Sequence, residues 1–235
     1  RALEEDLIDA AVVAYERETF GGRAIAVDDI DAVVRAKGTK YVRLSALPPL
    51  LDALREGKRR IAVVGTPCQI RVIRKLELSG YFRDEYPQAE IFLLGLFCFE
   101  SFDYRKLRDH IKELMDVDIE DADRVQIAKG RFTATVDGSE HSCSVRELDD
   151  DIQEGCRFCG DLISRLADIS IGSVGSPEGY STVIVRSEKG KKLLHRLPLA
   201  RKEARREDIV KLARIKRRNA DINLQRIGTG SEQKS

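Results

Sequence analysis

Two apolar runs with no polar alternation stand near the middle of the chain, "RIAVVG" at 60–65 and "EIFLLGL" at 90–96. Strands that read as continuous hydrophobic runs are covered on both faces and belong to parallel sheets. Between the two runs the period changes. After a Gly-Thr-Pro-Cys turn, Ile70, Val72, Ile73 and Leu76 recur with helical spacing. Strand, helix, strand is a right-handed crossover that leaves both strand C-termini on one edge of the sheet.

Upstream, "EEDLIDAAVVAYE" reads as a helix end feeding a short strand, and "DDIDAVVRAKG" as a helix broken at "KGTKYV". "SALPPLLDALREG" reads as a second helix, with Ser45 as its cap and Gly57 as its stop. Downstream, a helix is expected near Tyr104 to Met115. The pattern then alternates through "DRVQIAKGRFTATVDGSEHSCSVREL", a hairpin turning at Asp137-Gly138. "ADISIGSVGSPEGYSTVIV" reads as strand, glycine loop, strand. "KKLLHRL" and "RREDIVKLARIKRRNADINLQ" are helical, and "GTGSEQKS" reads as a frayed tail. The fold class is α/β with α+β elements: a βαβ parallel-sheet core, a hairpin and glycine-loop region, and C-terminal helices. The pattern divides the chain into an α/β domain over 1–120, the hairpin, C-x-x-C and glycine-loop region over 121–190, and C-terminal helices and tail over 191–235.

Composition narrows the function. The 235 residues are 42% hydrophobic and carry a formal net charge of +1, so no global field argues for nucleic acid or an anionic membrane. No apolar run approaches the ~20 residues of a membrane helix, and a soluble protein is expected. The chain begins at Arg1 and not Met, so the native N-terminus is expected to lie outside it. Five cysteines make an odd count for a disulfide scaffold and fit a thiol-preserving, intracellular compartment. His110, His141 and His195 are scattered and read as surface or satisfied residues. "RIKRRN" reads as a solvated or subunit-contacting helix face.

The cysteines carry the candidate chemistry. Cys68 follows the first parallel strand and Cys98 ends the second, so both fall on the edge where open α/β sheets bind ligands. "EGCRFCGD" adds Cys156 and Cys159, and Cys143 sits in the hairpin without an obvious role. Cys98 could equally be a core cysteine, and Cys68 a reactive thiol at a helix N-terminus. A shared four-thiolate site would suit structural zinc or an iron–sulfur cluster. The glycine loop, with Gly172, Gly175 and Gly179, is not a dinucleotide fingerprint, because no helix follows it. It reads first as a long hairpin loop. Alternatively it lets backbone approach a flat ligand, with Ser173, Ser176, Ser181 and Thr182 as donors.

"VGTPCQI", "GLFCFE", "GCRFCGD" and "ADISIGSVGSPEGYSTVIVR", in that order, resemble the beta subunit family of coenzyme F420-reducing hydrogenase and its formate dehydrogenase and F420H2 dehydrogenase relatives. The resemblance runs from "ALEEDLIDAAVVA" to about Asn223. It lacks the N-terminal Gly-Gly segment that ordinarily precedes it, so part of the flavin site is expected outside this chain. It implies a cytoplasmic oxidoreductase subunit, or one peripheral to a membrane complex, that binds FAD and one 4Fe–4S cluster and exchanges hydride with the deazaflavin F420.

The resemblance assigns the cluster to Cys68, Cys98, Cys156 and Cys159 and leaves Cys143 out. It assigns FAD contacts to Gly38, Thr39, Lys40 and Tyr41, to Pro67 and Gln69, and to Lys129 and Gly130. From the glycine loop it adds Gly172, Ser173, Val174, Gly175, Ser176, Gly179, Ser181 and Thr182. It names no catalytic side chain, since hydride transfer belongs to the flavin. Arg71, Arg74 and Lys75 would receive the anionic deazaflavin tail, or would form a solvated face. Hydrogenase, formate dehydrogenase, F420H2 dehydrogenase or heterodisulfide reductase subunits are the implied partners. The alternative from another class is a zinc-stapled interaction module without redox activity.

Overall fold

The computed structural model describes residues 1–15, 22–195 and 197–231. Residues 1–9 make a turn in place of the expected helix end, and β1 (Ala10–Tyr15) follows, paired antiparallel with β2 (Arg23–Val27). α1 (Ile30–Arg35) is capped by Asp29, whose carboxylate accepts from the Asp31 and Ala32 N–H groups. α2 (Leu47–Arg55) starts from Ala46, and Ser45 is not its cap. Pro48 and Pro49 hold the second and third helical positions, whose N–H groups a capping side chain would bind. Proline has none, so no cap is needed there. Gly57, at φ +88°, ends this helix as expected.

β3 (Arg60–Gly65), α3 (Pro67–Leu78), the short α4 (Tyr81–Glu85) and β4 (Glu90–Leu96) form the crossover. β3 and β4 pair in parallel from Arg60 opposite Glu90 to Gly65 opposite Gly95. Ile61, Val63 and Leu93 are fully buried. Ile70 and Ile73 of α3 pack with them, while Val72 turns to solvent.

α5 (Tyr104–Met115) begins at Asp103, whose carboxylate accepts from the Arg105 and Lys106 N–H groups. β5 (Arg124–Ala128), β6 (Arg131–Val136) and β7 (Ser139–Ser144) form a separate antiparallel sheet. Two tight turns join them, Lys129-Gly130 and Asp137-Gly138, all four residues at positive φ. Such turns match the twist of hairpin strands. Phe132, Ala134 and Cys143 pack with Leu107 and Ile111 of α5 in a core of their own.

β8 (Ile169–Gly172) returns to the main sheet, parallel to β4, and β9 (Thr182–Val185) pairs antiparallel at its edge. The main sheet is ordered β2-β1-β3-β4-β8-β9. Residues 121–190 are therefore not one region. The hairpin strands stand apart, whereas Ile169 and Ile171, facing Leu94 and Leu96, complete the core begun upstream. α6 (Glu188–His195) covers the sheet through Leu193. α7 (Arg206–Ser231) carries the helix into the "GTGS" read as frayed; the residues beyond Ser231 lie outside the described ones.

Candidate functional site

Four loops meet at the C-terminal edge of the parallel strands. Thr66 and Pro67 turn the chain from β3 into α3, and Pro67 is buried at the first helical position, where its missing N–H costs nothing. Cys68 follows, exposed, with its Sγ 3.2 Å from Thr66 Oγ1. β4 runs on through the Phe97 N–H, which donates to Ile171 O at 2.7 Å. The Cys98 N–H then donates to Leu162 O at 2.9 Å.

The next turn is laced to the C-x-x-C segment. Gln153 N donates to Ser101 O at 2.9 Å and Cys156 N to Gln153 O at 2.8 Å. Cys156 lies in a 3-10 helix (Glu154–Phe158), and Cys159 closes it, its N–H reaching Cys156 O at 3.1 Å.

The four thiols sense one another. Burial pushes the Cys98 thiol up to about 11; Cys156 and Cys68 add to the rise, and Lys216 opposes it. Cys156 is raised as well, chiefly by burial and further by Cys68 and Cys159. Cys143 is raised by burial, and the causes of that shift include none of the other cysteines. Among the described residues, no three His, Cys, Asp or Glu side chains close on a single point that would hold one metal ion.

Lys216 is the residue that the sequence reading missed. It sits within "RIKRRN", read as a solvated face, yet is only 4% exposed. The buried positions Ile209, Lys216 and Ala220 are spaced seven and four apart, an inward stripe, and that spacing was the available signal. The neighbouring Arg217 and Arg218 are exposed, as expected.

The residues implied as flavin contacts fall into two groups. Around α3, Gln69 Nε2 donates to Leu44 O at 2.7 Å, and the Tyr41 hydroxyl accepts from Ile127 N at 2.9 Å. Tyr41 O also accepts from Phe102 N at 2.9 Å. "GTKY" is thus tied through Tyr41 to the Cys98 loop and to β5, and the nearby Leu44 to α3. Lys40 Nζ donates to Lys37 O at 3.0 Å, while Gly38 and Thr39 are exposed. Lys129 and Gly130 form the hairpin turn described above, which accounts for that glycine. Beside this region lies a cavity of about 350 Å³ lined by Val42, Arg43, Asp103, Tyr104, Arg105 and Gln153.

The glycine loop forms the second group, and much of it faces inward. Ser176 Oγ donates to Ser173 O (2.8 Å) and Tyr180 O (2.9 Å), and Thr182 Oγ1 to Val174 O (2.7 Å). A Cβ on Gly172 would fall 2.2 Å from the Phe97 ring. Gly175, at φ +86°, is buried against α7: a Cβ there would come within 2.8 Å of Arg205 O and 2.9 Å of Ile209. Ser173, Gly179 and Ser181 are exposed.

Of the residues implied for the tail, Arg71 and Lys75 are exposed, but Arg74 is committed elsewhere. It binds Leu166 O, Glu77 and the buried Asp168. His110 is satisfied by Asp151 at 2.8 Å.

Two family profiles match this chain in succession, both describing the beta subunit of coenzyme F420 hydrogenase/dehydrogenase. The profile of its N-terminal part covers residues 1–52, and that of its C-terminal part covers 58–209. The chain belongs to the coenzyme F420 hydrogenase/dehydrogenase beta subunit family. The seam between the family's two halves, residues 53–57, takes in the end of α2 and the turn before β3, yet β1 pairs directly with β3, so both halves build one sheet.

Among its relatives, the coenzyme F420 hydrogenase beta subunit of Methanococcus voltae is 34% identical over 83% of this chain and 70% of its own length. The coenzyme F420-dependent sulfite reductase of Methanocaldococcus jannaschii is 34% identical over 91% of this chain, which spans 35% of that protein. An F420H2 dehydrogenase subunit of Methanosarcina mazei is 35% identical over 79% of this chain, which spans 52% of it. In three dimensions the chain superposes on a chain of the F420-reducing NiFe hydrogenase complex of Methanosarcina barkeri. The TM-score is 0.86 at 28% identity, covering 96% of this chain and 81% of that one. Among the described residues no helix is long and apolar enough to cross a membrane.

Proposed function

We propose that this chain is the subunit of an F420-linked oxidoreductase that binds FAD and a 4Fe–4S cluster, exchanges hydride with coenzyme F420, and passes single electrons to or from a partner subunit. The observation that carries this reading, in a chain of this family, is the lacing of the Cys98 turn to the C-x-x-C segment and the loop after it, through Gln153 N to Ser101 O and Cys98 N to Leu162 O, on the sheet edge where Cys68 also lies. The residues fit the group. A cuboidal cluster takes one thiolate at each of four corners, so its ligands need not converge on one point as those of a zinc ion do.

When bound, FAD supplies the exchange between hydride and single electrons, and the cluster supplies a one-electron store. The chain's own residues prepare the place. Cys98 gives up its proton to become a ligand, against the burial that raises its pKa to about 11. Phe97 and Phe102 flank the Cys98 turn, and Phe102, fully buried, keeps water from its inner side. Ser176 and Thr182 hold the glycine loop in shape. The exposed Ser173, Gly179 and Ser181 are left to meet a flavin. Arg71 and Lys75 remain free to receive an anionic tail.

The test is anaerobic purification followed by iron, sulfide and flavin analysis and addition of reduced F420. Bleaching of a flavin band by reduced F420, with little response to NADH or NADPH, is expected. A colourless zinc protein, or rapid reduction by NADH with no response to F420, would sink the reading.

A further inference from the structure

A buried lysine without a carboxylate partner is an unusual thing for a chain to keep. The hydrogen-bond partners of Lys216 are two backbone carbonyls: Nζ donates to Cys98 O at 2.5 Å and to Asp161 O at 3.0 Å. The Asp161 carboxylate does not serve it. That group turns to the Arg165 N–H, with the Arg165 side chain 3.9 Å away. Carbonyl dipoles solvate an ammonium only in part, and removing the charge from water remains strongly unfavourable unless an anion stands near.

The carbonyls it holds belong to Cys98 itself and to the second residue after Cys159, so the buried charge is anchored beside the turns that carry two candidate cluster ligands. The lysine is thus placed to face the negative charge that thiolates would bring.

Its position on α7 matters as much as its charge. α7 lies along the C-x-x-C segment. Asn223 Nδ2 donates to Arg157 O at 2.9 Å, and Gly160 leaves room for the Arg217 backbone, 3.5 Å from where a Cβ would stand. One lysine bonds the carbonyl of Cys98 itself and that of Asp161, two residues beyond Cys159. These two loops are far apart in sequence, and the lysine adds a second link to the Cys98 N–H bond to Leu162 O.

We propose that Lys216 is a positioning residue of the cysteine site: it staples the Cys98 turn to the loop after Cys159, and it is the fixed counter-charge that raises the reduction potential of the group those thiolates hold. This rests on the cluster reading above. A cluster held by these thiolates would take up one electron, supplied by the reduced deazaflavin by way of the flavin. No bond to the lysine forms or breaks. A fixed positive charge stabilises the reduced, more negative state over the oxidised one, and low local polarity enlarges the effect.

The test uses the full chain, purified anaerobically and reconstituted with iron and sulfide, as wild type, Lys216→Met, Lys216→Gln, Lys216→Arg and Arg218→Met. Arg218 is an exposed cation on the same helix, which water and salt screen. Far-UV circular dichroism checks folding. Iron per chain, the low-temperature EPR signal and a mediated potentiometric titration are then read.

The expected result is a more negative midpoint, or loss of iron from a folded chain, in Lys216→Met. Lys216→Arg should stand close to wild type and Arg218→Met should be unchanged. If Lys216→Met does not fold, Lys216→Gln decides by the same comparison. Full iron with the wild-type midpoint in the neutral variants overturns this inference alone, as does a Lys216→Arg variant no better than Lys216→Met. A wild-type chain that takes up no iron overturns the cluster reading and this inference with it.

Discussion

Asp168 is 1% exposed and sits where β4, α3, β8 and α6 meet. Its Oδ2 accepts from Leu93 N at 2.8 Å, and its Oδ1 from Arg74 Nη2 at 3.0 Å and Ser187 Oγ at 2.7 Å. Lys189 Nζ is 3.5 Å from the same carboxylate and also bonds Ile91 O and Glu77. Glu77 in turn pairs with Arg74. Two cations and two carboxylates therefore balance in a little-hydrated cluster. Replacing Asp168 with Asn keeps the shape but removes one negative charge. It also turns an NH2 group toward partners that are all donors.

Breaking a buried pair from one side costs about 3–5 kcal/mol. The side chains of Arg74 and Lys189 are 17% and 22% exposed, so water recovers part of that and about 3 kcal/mol is the expected loss. For a chain of this size each kcal/mol moves the melting temperature by roughly 2–4 °C, so Asp168→Asn should melt about 6–12 °C lower. Thermal and urea unfolding followed by far-UV circular dichroism measure it. The pair Asp168→Asn and Arg74→Met should be clearly non-additive, because either change removes the same contact. A loss below about 1 kcal/mol, or simple additivity, would refute the network. The same cluster sorts the candidate tail residues: Arg74→Met should lower stability, whereas Arg71→Ala should leave stability alone and weaken F420 binding.

At Asp9, burial pushes the carboxyl up, but the N–H groups of Arg60 and Arg59 and the Arg60 guanidinium outweigh it and hold the group below its usual range. A depressed folded-state pKa gives stability that is present above the unfolded value near ~3.9 and is lost as pH falls through the folded value. Asp9→Asn should therefore cost about 1–2 kcal/mol at pH 7, after allowing for the half-exposed Arg60. Urea titrations should show the gap closing as pH falls through the lowered folded-state value, and a gap that persists in strong acid counts against the linkage. Gly175→Val adds a side chain where Arg205 O and Ile209 already stand, so the start of α7 should loosen and trypsin should cut sooner after Arg205; an unchanged digestion rate contradicts that packing. Cys68→Ala, Cys98→Ala, Cys156→Ala and Cys159→Ala should each lose iron. Cys143→Ala, buried with Phe132 and Leu148, should keep iron and cost only about 1–2 kcal/mol of stability; iron per chain decides.

What could be read from the sequence was whatever a local period controls. The runs around Val63 and Leu93 announce a doubly covered parallel pair because both faces are buried, and α5 shows its boundaries because Asp103 caps one end. Ser45 misled because a capping residue type was present, while the helix starts one residue later, from Ala46, with prolines at its second and third positions. The Lys129-Gly130 turn is implied as a flavin contact by the family resemblance, and the structure adds that both residues stand at positive φ in a hairpin turn. The placing of β8 in the main sheet was not legible, since "ISIG" says nothing about its neighbour.

Lys216 and Gly175 show the same boundary from the side of the site. Both look like surface or ligand-facing residues along the chain, and both owe their environment to α7, which docks only in the folded state. The four cysteines were legible as chemistry, because thiolate-bearing turns at a sheet edge are a pattern. The element that holds their loops together was not, because a helix of alternating charges advertises solvent. The strength of the site therefore rests on its least legible part. If α7 is undocked, the Cys98 turn and the loop after Cys159 keep the Cys98 N–H to Leu162 O bond but lose the Lys216 link between their carbonyls, and Arg157 O loses Asn223. Truncation before Arg206 should then damage the cysteine site more than it damages the six-stranded sheet, whose pairing is complete by Val185.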